Sequence, residues 1–479
     1  MRLSELLAGV EMLLPPDRDV EITGVSYDTR TLEPGALFVA LSGYKTDGHR
    51  YIARALELGA AAVVCQRVPE GVSGAVFTVP DSRAALAAIS ANWFRHPAEE
   101  LTVVGVTGTN GKTTTTNLLK TMLEETTGQT VGLLGTICNA IGAEELPADR
   151  TTPESYEVQR WLRKMADAGC AYAVMEVSSH ALVLHRVDGV EFAVGAFTNL
   201  TQDHLDFHGT MEAYRDAKGL LFKQCRTAVL NLDDEAGRYY RDSAVCPVLT
   251  YSECHDEADL TAKTLRLFPD RVEFEAVTRD AIARVRLGIP GGFTVYNALT
   301  ALGCARALDL PLARAAAALA KAPGVKGRME VVPGPWRGTV LIDYAHTPDA
   351  LENVLTSLRD FTPASGRLIC LFGCGGDRDR SKRPLMGAIA AELADYCVVT
   401  SDNPRTEDPQ AILDDILPGM ADFDTPRLVE PDRRRAIRLA RDMVKEGDVL
   451  VLAGKGHETY QEIDGVKHHL DEREELAGT

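Results

Sequence analysis

One passage constrains this chain more than any other. The β-branched run Leu101-Thr-Val-Val-Gly105-Val106-Thr107 passes straight into Gly108-Thr109-Asn110-Gly111-Lys112-Thr113-Thr114 and then into a helical pattern, TNLLKTMLEE. A continuously apolar strand belongs in a sheet covered on both faces. A glycine turn between such a strand and a helix points backbone N–H groups and the positive helix end at one place. Lys112 adds a cation there and Thr113 a hydroxyl suited to Mg²⁺, so the passage reads as a phosphate site in an α/β domain. The generic spacing asks for glycine at position 106, where this chain has Val106 with Gly105 one residue early, so the loop is a variant.

At 479 residues the chain is too long for one ordinary core, and roughly 100–200 residues per domain predicts about three domains. From Ile22 to Cys65, GVSYDT, ALFVAL and AAAVVC read as short strands around a helix beginning near Asp47. After the phosphate loop, AYAVMEV, FAVGAFTNL and TAVLNL alternate with helical stretches, which favours a largely parallel sheet. The Ala-rich stretch from Asn297 to about Ala322 reads as one or two helices, and KAPGVKGRME as a hinge with a boundary near Gly327. Beyond it, TVLIDYAH, RLICLFG, YCVVTSD and DVLVLAGKG are apolar strands running into polar segments, the βα units of a Rossmann-like domain whose ligands sit at the strands' carboxyl ends. The expected fold is α/β in three domains: a small α/β domain over 1–98, a central P-loop-type ATPase domain with a mostly parallel sheet over 99–326, and a Rossmann-like domain over 327–479.

A formal net charge of −18 argues against a protein that grips nucleic acid or anionic lipid through its overall field. The ten cysteines form no C-x-x-C pair, and Cys370 and Cys374 lack a second pair to complete a zinc site, which suits reduced thiols in a cytoplasm. The N-terminus lacks a basic segment followed by a sustained apolar one, and no run of about 18 apolar residues occurs, so neither secretion nor membrane insertion is expected. Leu3, Leu6, Leu7 and Val10 instead follow the spacing of a short amphipathic helix.

Glu176, at the end of AYAVMEV, places a carboxylate where it can reach a Mg²⁺ held by Thr113. The next strand ends in Thr198-Asn-Leu-Thr-Gln-Asp203-His204-Leu-Asp206-Phe-His208-Gly209, dense in metal-capable and proton-carrying groups, of which His204 is the expected metal contact. Lys218, in EAYRDAKGLLF, reads by pattern alone as a surface lysine on a helix.

Taken in order, GTNGKT, EVSSH, TQDHLDFHG, YxxAK, GRME, DYAHTP and AGKGHE resemble the Mur ligases over essentially the whole chain. The loop alone is also similar to that of folylpolyglutamate synthetase. The resemblance implies an ATP-dependent ligase of cell-wall peptidoglycan synthesis that activates a carboxylate as an acyl phosphate and passes it to an amine, with ATP and Mg²⁺ as cofactors. It implies ATP contacts at Gly108, Thr109, Asn110, Gly111, Lys112, Thr113, Thr114, Asn297, Arg328 and Asp343, with His346 a nearby contributor. ATP would then bridge the second and third domains. It implies catalytic roles for Lys112, Lys218 and His204, and metal contacts at Thr113, Glu176, His204 and Lys218, the last as a carbamylated lysine.

The same resemblance implies UDP-N-acetylmuramoyl-L-alanyl-D-glutamate as one substrate, held through Thr29 in YDTR, Tyr44, Lys45 and Thr46 in GYKTDG, and Thr151, Thr152, Ser178 and Arg186. The other substrate follows from Asp402-Asn403-Pro404-Arg405, the family's mark for meso-diaminopimelate. Diaminopimelate carries a second carboxylate that lysine lacks, and an arginine can bind it through two parallel hydrogen bonds. Arg378, Gly454 and Glu458 match the remaining contacts to that amino acid. A lysine-adding ligase is the nearest rival and would lack Arg405. Folylpolyglutamate synthetase is disfavoured by the N-terminal domain and by DNPR. A nucleotide-dependent switch would leave the third-domain motifs unexplained. A monomer is expected.

Overall fold

The computed structural model describes residues 1–14, 18–43, 46–148 and 150–478. The chain divides into two compact units, one of Met1–Asp259 with Thr300–Pro311 and one of Leu260–Leu299 with Leu312–Thr479.

The first unit opens with a four-stranded parallel sheet of β1 (Val25–Ser26), β2 (Leu37–Val39), β3 (Ala62–Cys65) and β4 (Val76–Thr78) in sequential order. The first three are the expected strands, and β4 was not anticipated. The helix expected near Asp47 begins as the 3₁₀ turn Gly48–Tyr51 and continues as Ile52–Glu57, with the Asp47 carboxylate accepting from the His49 N–H. The N-terminal helix is only Leu3–Leu6, yet Leu3, Leu6 and Leu7 are buried as its spacing predicts. Helix Ser82–Trp93 starts where the Asp81 carboxylate accepts from Arg83 N and Ala84 N, satisfying two donors that a helix start leaves open.

The larger sheet of this unit contains β5 (Thr102–Thr107), β6 (Val131–Leu134), β7 (Cys138–Ile141), β8 (Glu144–Pro147), β9 (Tyr172–Glu176), β10 (Phe192–Phe197), β11 (Cys225–Asn231) and β12 (Val248–Ser252). Their order is β12-β11-β10-β5-β9-β6-β7-β8, parallel from β12 to β6 and antiparallel through the β7–β8 hairpin. After β5 the chain crosses to β6, returns to β9, and only then builds β10 to β12 on the other side. The direction of winding reverses at β5, and such a switch point opens a crevice at the carboxyl ends of the strands. Five of the six residues of β5 are buried, as the continuous apolar run requires.

The second unit contains an antiparallel meander, β13 (Leu260–Phe268), β14 (Arg271–Thr278) and β15 (Ile282–Leu287), which the sequence reading missed. IARVRL in β15 alternates exposed and buried as a strand with one wet face must. The Ala-rich stretch resolves into helices Gly292–Ala307 and Leu312–Leu319. The unit's main sheet comprises β16 (Glu330–Val331), β17 (Thr339–Asp343), β18 (Leu368–Phe372), β19 (Tyr396–Thr400), β20 (Arg427–Glu430) and β21 (Val449–Ala453). They run in the order β16-β17-β21-β18-β19-β20, parallel from β17 to β20. All five residues of β18 and of β21 are buried. A hairpin of β22 (Tyr460–Ile463) and β23 (Val466–His469) follows. Among the described residues no helix is long and apolar enough to cross a membrane.

Candidate active site

The phosphate loop sits at the switch point. Gly108 has φ +148, and a Cβ there would lie 1.8 Å from Thr198 Oγ1, so only glycine lets the loop cross the end of β10. Thr198 Oγ1 donates to Asn110 O at 2.6 Å, and the Asn199 side chain accepts from Asn110 N at 2.9 Å. Gly111, at φ +83, caps helix Lys112–Thr127. Lys112 Nζ donates to the loop carbonyls of Gly108 (2.9 Å) and Thr109 (2.8 Å), and Thr113 and Thr114 are buried in the first helical turn. Loop N–H groups, a lysine and a helix start gathered in this way form a cradle for a polyphosphate.

Glu176 is 1% exposed at the end of β9. Its Oε2 accepts from Thr113 Oγ1 and Thr136 Oγ1, both at 3.0 Å, and its Oε1 accepts from Thr136 N at 2.8 Å. Gly135 admits the carboxylate, since a Cβ there would lie 2.9 Å from Glu176 Oε1. A buried carboxylate bonded to the P-loop hydroxyl is a hard-oxygen donor set of the kind Mg²⁺ prefers. Thr136 was not singled out from sequence, because the short strand β6 that it follows was not among the expected strands.

The residues expected to hold the peptide meet around Glu176, reaching its carboxylate through Thr136 and its main-chain carbonyl through Thr152. Thr151 Oγ1 shares a 3.0 Å hydrogen bond with Thr136 Oγ1, and Thr152 Oγ1 donates to Glu176 O at 2.8 Å and receives Ser178 N at 3.1 Å. Arg186 Nη1 donates to Thr152 O at 3.2 Å. Glu154, also missed, pairs with Arg186 (2.8 Å), Arg83 (3.1 Å) and Arg150 (3.1 Å). One carboxylate among three guanidiniums leaves a local excess of positive charge in a strongly acidic protein, a focused site for an anionic ligand. Tyr27 Oη donates to Glu157 Oε2 at 2.8 Å, which ties the YDTR block to helix Ser155–Asp167. Thr29 is half-buried in that block and Thr46 is exposed, whereas Tyr44 and Lys45 lie outside the described residues.

Lys218 overturns the surface reading, for it is 1% exposed. Nζ donates to Gly108 O at 2.8 Å and lies 4.3 Å from the centre of the Tyr214 ring. Burial first, and then the charge of Lys112, hold its ammonium well below the ordinary lysine range. Tyr214 reaches Thr109 Oγ1 at 3.2 Å and stacks on His208 at 5.0 Å, with His204 6.1 Å away. His204 stands in left-handed backbone at φ +52 and packs edge-on against His180 at 4.8 Å. His208 shares a 2.9 Å hydrogen bond with Ser179 Oγ. Burial lowers all three imidazoles, and His180, next to His204, His208 and Arg186, is pushed down to about 4. Among the described residues no three His, Cys, Asp or Glu side chains gather into a metal cage; the metal-capable groups are the Thr113 hydroxyl bonded to the Glu176 carboxylate, and the His204 imidazole.

The second unit places its motifs at the carboxyl ends of β17, β18, β19 and β21. Asp343 ends β17, its oxygens accepting from Met329 N and Ala345 N at 2.8 Å each, and burial raises its carboxyl. Arg328 lies 4.9 Å from the Tyr344 ring, and its buried Nε has no hydrogen-bond partner among the described residues. An orphaned guanidinium donor fits an anionic ligand. Asn297 is buried in helix Gly292–Ala307, and His346 Nδ1 bonds its neighbour Tyr344 O at 2.8 Å.

After β19, Arg433 holds the loop ends by donating to Ser401 O (3.0 Å) and Ala453 O (3.1 Å) from a fully buried pair with Glu472. Gly454 lies so close to Asp402 that a Cβ would sit 2.6 Å from its Oδ2. Asn403 Nδ2 donates to Glu458 Oε2 at 2.9 Å, and Pro404 is buried. Arg405, at φ +52, donates from Nη1 to Gly376 O at 2.7 Å and lies 3.3 Å from Glu462. Arg378 is exposed on the loop after β18. Arg378, Asp402, Asn403, Pro404, Arg405, Gly454 and Glu458 thus belong to one group of neighbouring loops.

A reversing parallel sheet with a phosphate loop at its switch point, followed by a second sheet with its own carboxyl-end site, defines a nucleotide-using ligase architecture. Models of the Mur ligase family catalytic domain, the Mur ligase middle domain and the Mur ligase glutamate ligase domain match residues 21–95, 106–305 and 327–456. The chain belongs to the Mur ligase family. It is 45% identical to the UDP-N-acetylmuramoyl-L-alanyl-D-glutamate--2,6-diaminopimelate ligase of Clostridium botulinum, over 99% of this chain and 98% of the relative. It is 46% identical to the enzyme of the same name from Caldanaerobacter subterraneus subsp. tengcongensis, with the same coverage. A solved structure of a ligase of that name superposes with a TM-score of 0.74 at 34% identity, covering 99% of this chain and 98% of the other.

Proposed function

We propose that this protein is the ATP-dependent amide ligase that joins meso-2,6-diaminopimelate to the D-glutamyl γ-carboxylate of UDP-N-acetylmuramoyl-L-alanyl-D-glutamate in peptidoglycan synthesis. The observation that carries this reading is the convergence of the phosphate loop, through Thr113, and the peptide-facing threonines, through Thr136 and Thr152, on Glu176. A carboxylate placed among Thr151, Thr152, Ser178 and Arg186 would lie beside the group that handles phosphate. Proximity of this kind is what a phosphoryl transfer to a carboxylate needs.

ATP supplies the phosphoryl group that makes the carboxylate an acyl donor, and Mg²⁺ offsets the charge of the two anions as they approach. The chain's residues do the holding. The Gly108–Thr114 loop and Lys112 cradle the phosphates, with Asn297, Arg328 and Asp343 as further nucleotide contacts. Thr113, Glu176, His204 and a carbamylated Lys218 are the metal-facing groups. Thr29, Tyr44, Lys45 and Thr46 take the uridine and diphosphate, while Thr151, Thr152, Ser178 and Arg186 take the muramoyl-dipeptide. Attack of the amine on the acyl phosphate then forms the amide and releases phosphate. Arg405 binds the distal carboxylate of diaminopimelate and Glu458 the ammonium of that end, with Arg378 and Gly454 as further contacts to the amino acid. We assign the UDP-sugar role to 1–98, the ATPase role to 99–326 and the amino-acid role to 327–479, in a monomer that works in the cytoplasm.

Phosphate release with ATP, Mg²⁺ and the UDP-dipeptide, with meso-diaminopimelate or L-lysine in parallel and product mass as the check, tests this reading. Tripeptide with diaminopimelate alone is expected. Turnover with lysine alone would overturn the role of Arg405, and no product with either amine would overturn the ligase reading.

A further inference from the structure

Lys455 lies in the AGKGHE segment between Gly454 and Glu458. It is 0% exposed, so its ammonium is covered by the protein's own residues. Its Nζ donates to Asn403 Oδ1 and to Glu458 Oε2, both at 3.0 Å, and lies 5.5 Å from the Tyr460 ring centre. The network closes on itself, because Asn403 Nδ2 also donates to Glu458 Oε2 at 2.9 Å and Asn403 Oδ1 also accepts Glu462 N at 2.9 Å. A buried ammonium is retained only where such acceptors replace its water.

Glu458 itself is accessible, with 16% of its side chain exposed. Oε2 is fixed from two sides, while Oε1 has no hydrogen-bond partner among the described residues. The same lysine therefore fixes one residue of DNPR and the carboxylate that faces it across the loops.

We propose that Lys455 is the positioning residue of the amino-acid site. It acts through the Glu458 carboxylate, with Asn403 Oδ1 as the second acceptor that holds the ammonium in place, and sets where that carboxylate meets the ammonium of the incoming diamino acid. The inference rests on the reading of these loops as the diaminopimelate site. A lysine serving only the stability of the fold would weaken all ligands alike or none.

Steady-state kinetics of the full-length protein with ATP, Mg²⁺, UDP-dipeptide and meso-diaminopimelate separate the two for wild type, Lys455→Met, Glu458→Gln and the double variant. Lys455→Met is expected to raise the KM for diaminopimelate roughly tenfold or more, since a charge-assisted hydrogen bond is lost. The KM values for ATP and UDP-dipeptide are expected to stay within about twofold, and the double variant within about twofold of Glu458→Gln, because the charged carboxylate through which Lys455 acts is then gone. Multiplying losses in the double variant, an equal rise in all three KM values, or no rise would overturn the proposal. If Lys455→Met fails to fold, Lys455→Gln, which keeps a donor without the charge, carries the same test. Wild-type turnover with L-lysine and not diaminopimelate would overturn the substrate reading instead, and the same variants assayed with L-lysine would still decide the role of Lys455.

Discussion

Replacing Lys218 with methionine separates a functional amine from a structural one. The side chain is buried, yet among the described residues its one hydrogen bond goes to Gly108 O, which keeps Lys112 Nζ as a donor at 2.9 Å when Lys218 is gone. An ammonium in that place is disfavoured by burial and by Lys112, so its folded pKa falls well below 10.5. Between the folded value and 10.5 the unfolded chain holds a proton that the folded chain does not, so this group makes stability rise with pH and costs stability at neutral pH. Methionine removes that cost while filling similar volume, and replacement of a buried charge by an apolar side chain is commonly neutral or stabilising by about 1–4 kcal/mol.

The same depressed pKa favours the neutral amine, which is the form that adds CO₂ to give a carbamate and a proton. An unperturbed lysine would be neutral in only about one molecule in a thousand near pH 7.4, and each unit of lowering raises that fraction about tenfold. We therefore expect Lys218→Met to unfold at the same or higher denaturant concentration and to lose on the order of 10²–10³ in kcat, the usual cost of removing one preorganised electrostatic group. Wild type stripped of CO₂ should lose activity and regain it with bicarbonate, with a carbamate signal after ¹³C-bicarbonate labelling. A Lys218→Met protein within tenfold of wild type, or activity indifferent to CO₂ with no carbamate signal, would refute this reasoning.

Arg405→Leu should raise the KM for diaminopimelate by roughly 10–100-fold through loss of charge-assisted hydrogen bonds, with the KM for ATP unmoved in the same assay. Thr136→Val removes the hydroxyl between Glu176 and Thr151, and a fall in kcat/KM equivalent to about 1 kcal/mol is expected from steady-state rates. His180 should stay neutral down to about pH 4, since burial and three neighbouring basic side chains oppose its protonation, which an imidazole NMR titration reads directly. Arg433→Met strands the fully buried Glu472 carboxylate and should cost about 3–5 kcal/mol of stability by urea unfolding.

The strands that the site needs were legible because each is a continuous apolar run ending in polar residues, and such runs report burial on both faces. β5, β9, β10, β17, β18, β19 and β21 all followed this rule. β13 to β15 did not, since a meander with one wet face mixes charged and apolar residues, as IARVRL does. Thr136 and Glu154 escaped because a lone threonine or glutamate beside a turn has no spacing that distinguishes it from loop chemistry.

The sequence by itself determined the phosphate loop, the parallel α/β class and the DNPR motif, because each depends on residues contiguous in the chain. Tertiary structure alone decided which side chains are hidden and what they touch. Lys218 became a buried amine only because its helix packs beneath a loop 110 residues earlier, and Lys455 meets Asn403 across 52 residues. Local patterns carry the geometry of a turn or a strand, while desolvation and charge pairing are properties of neighbours that only the folded chain brings together.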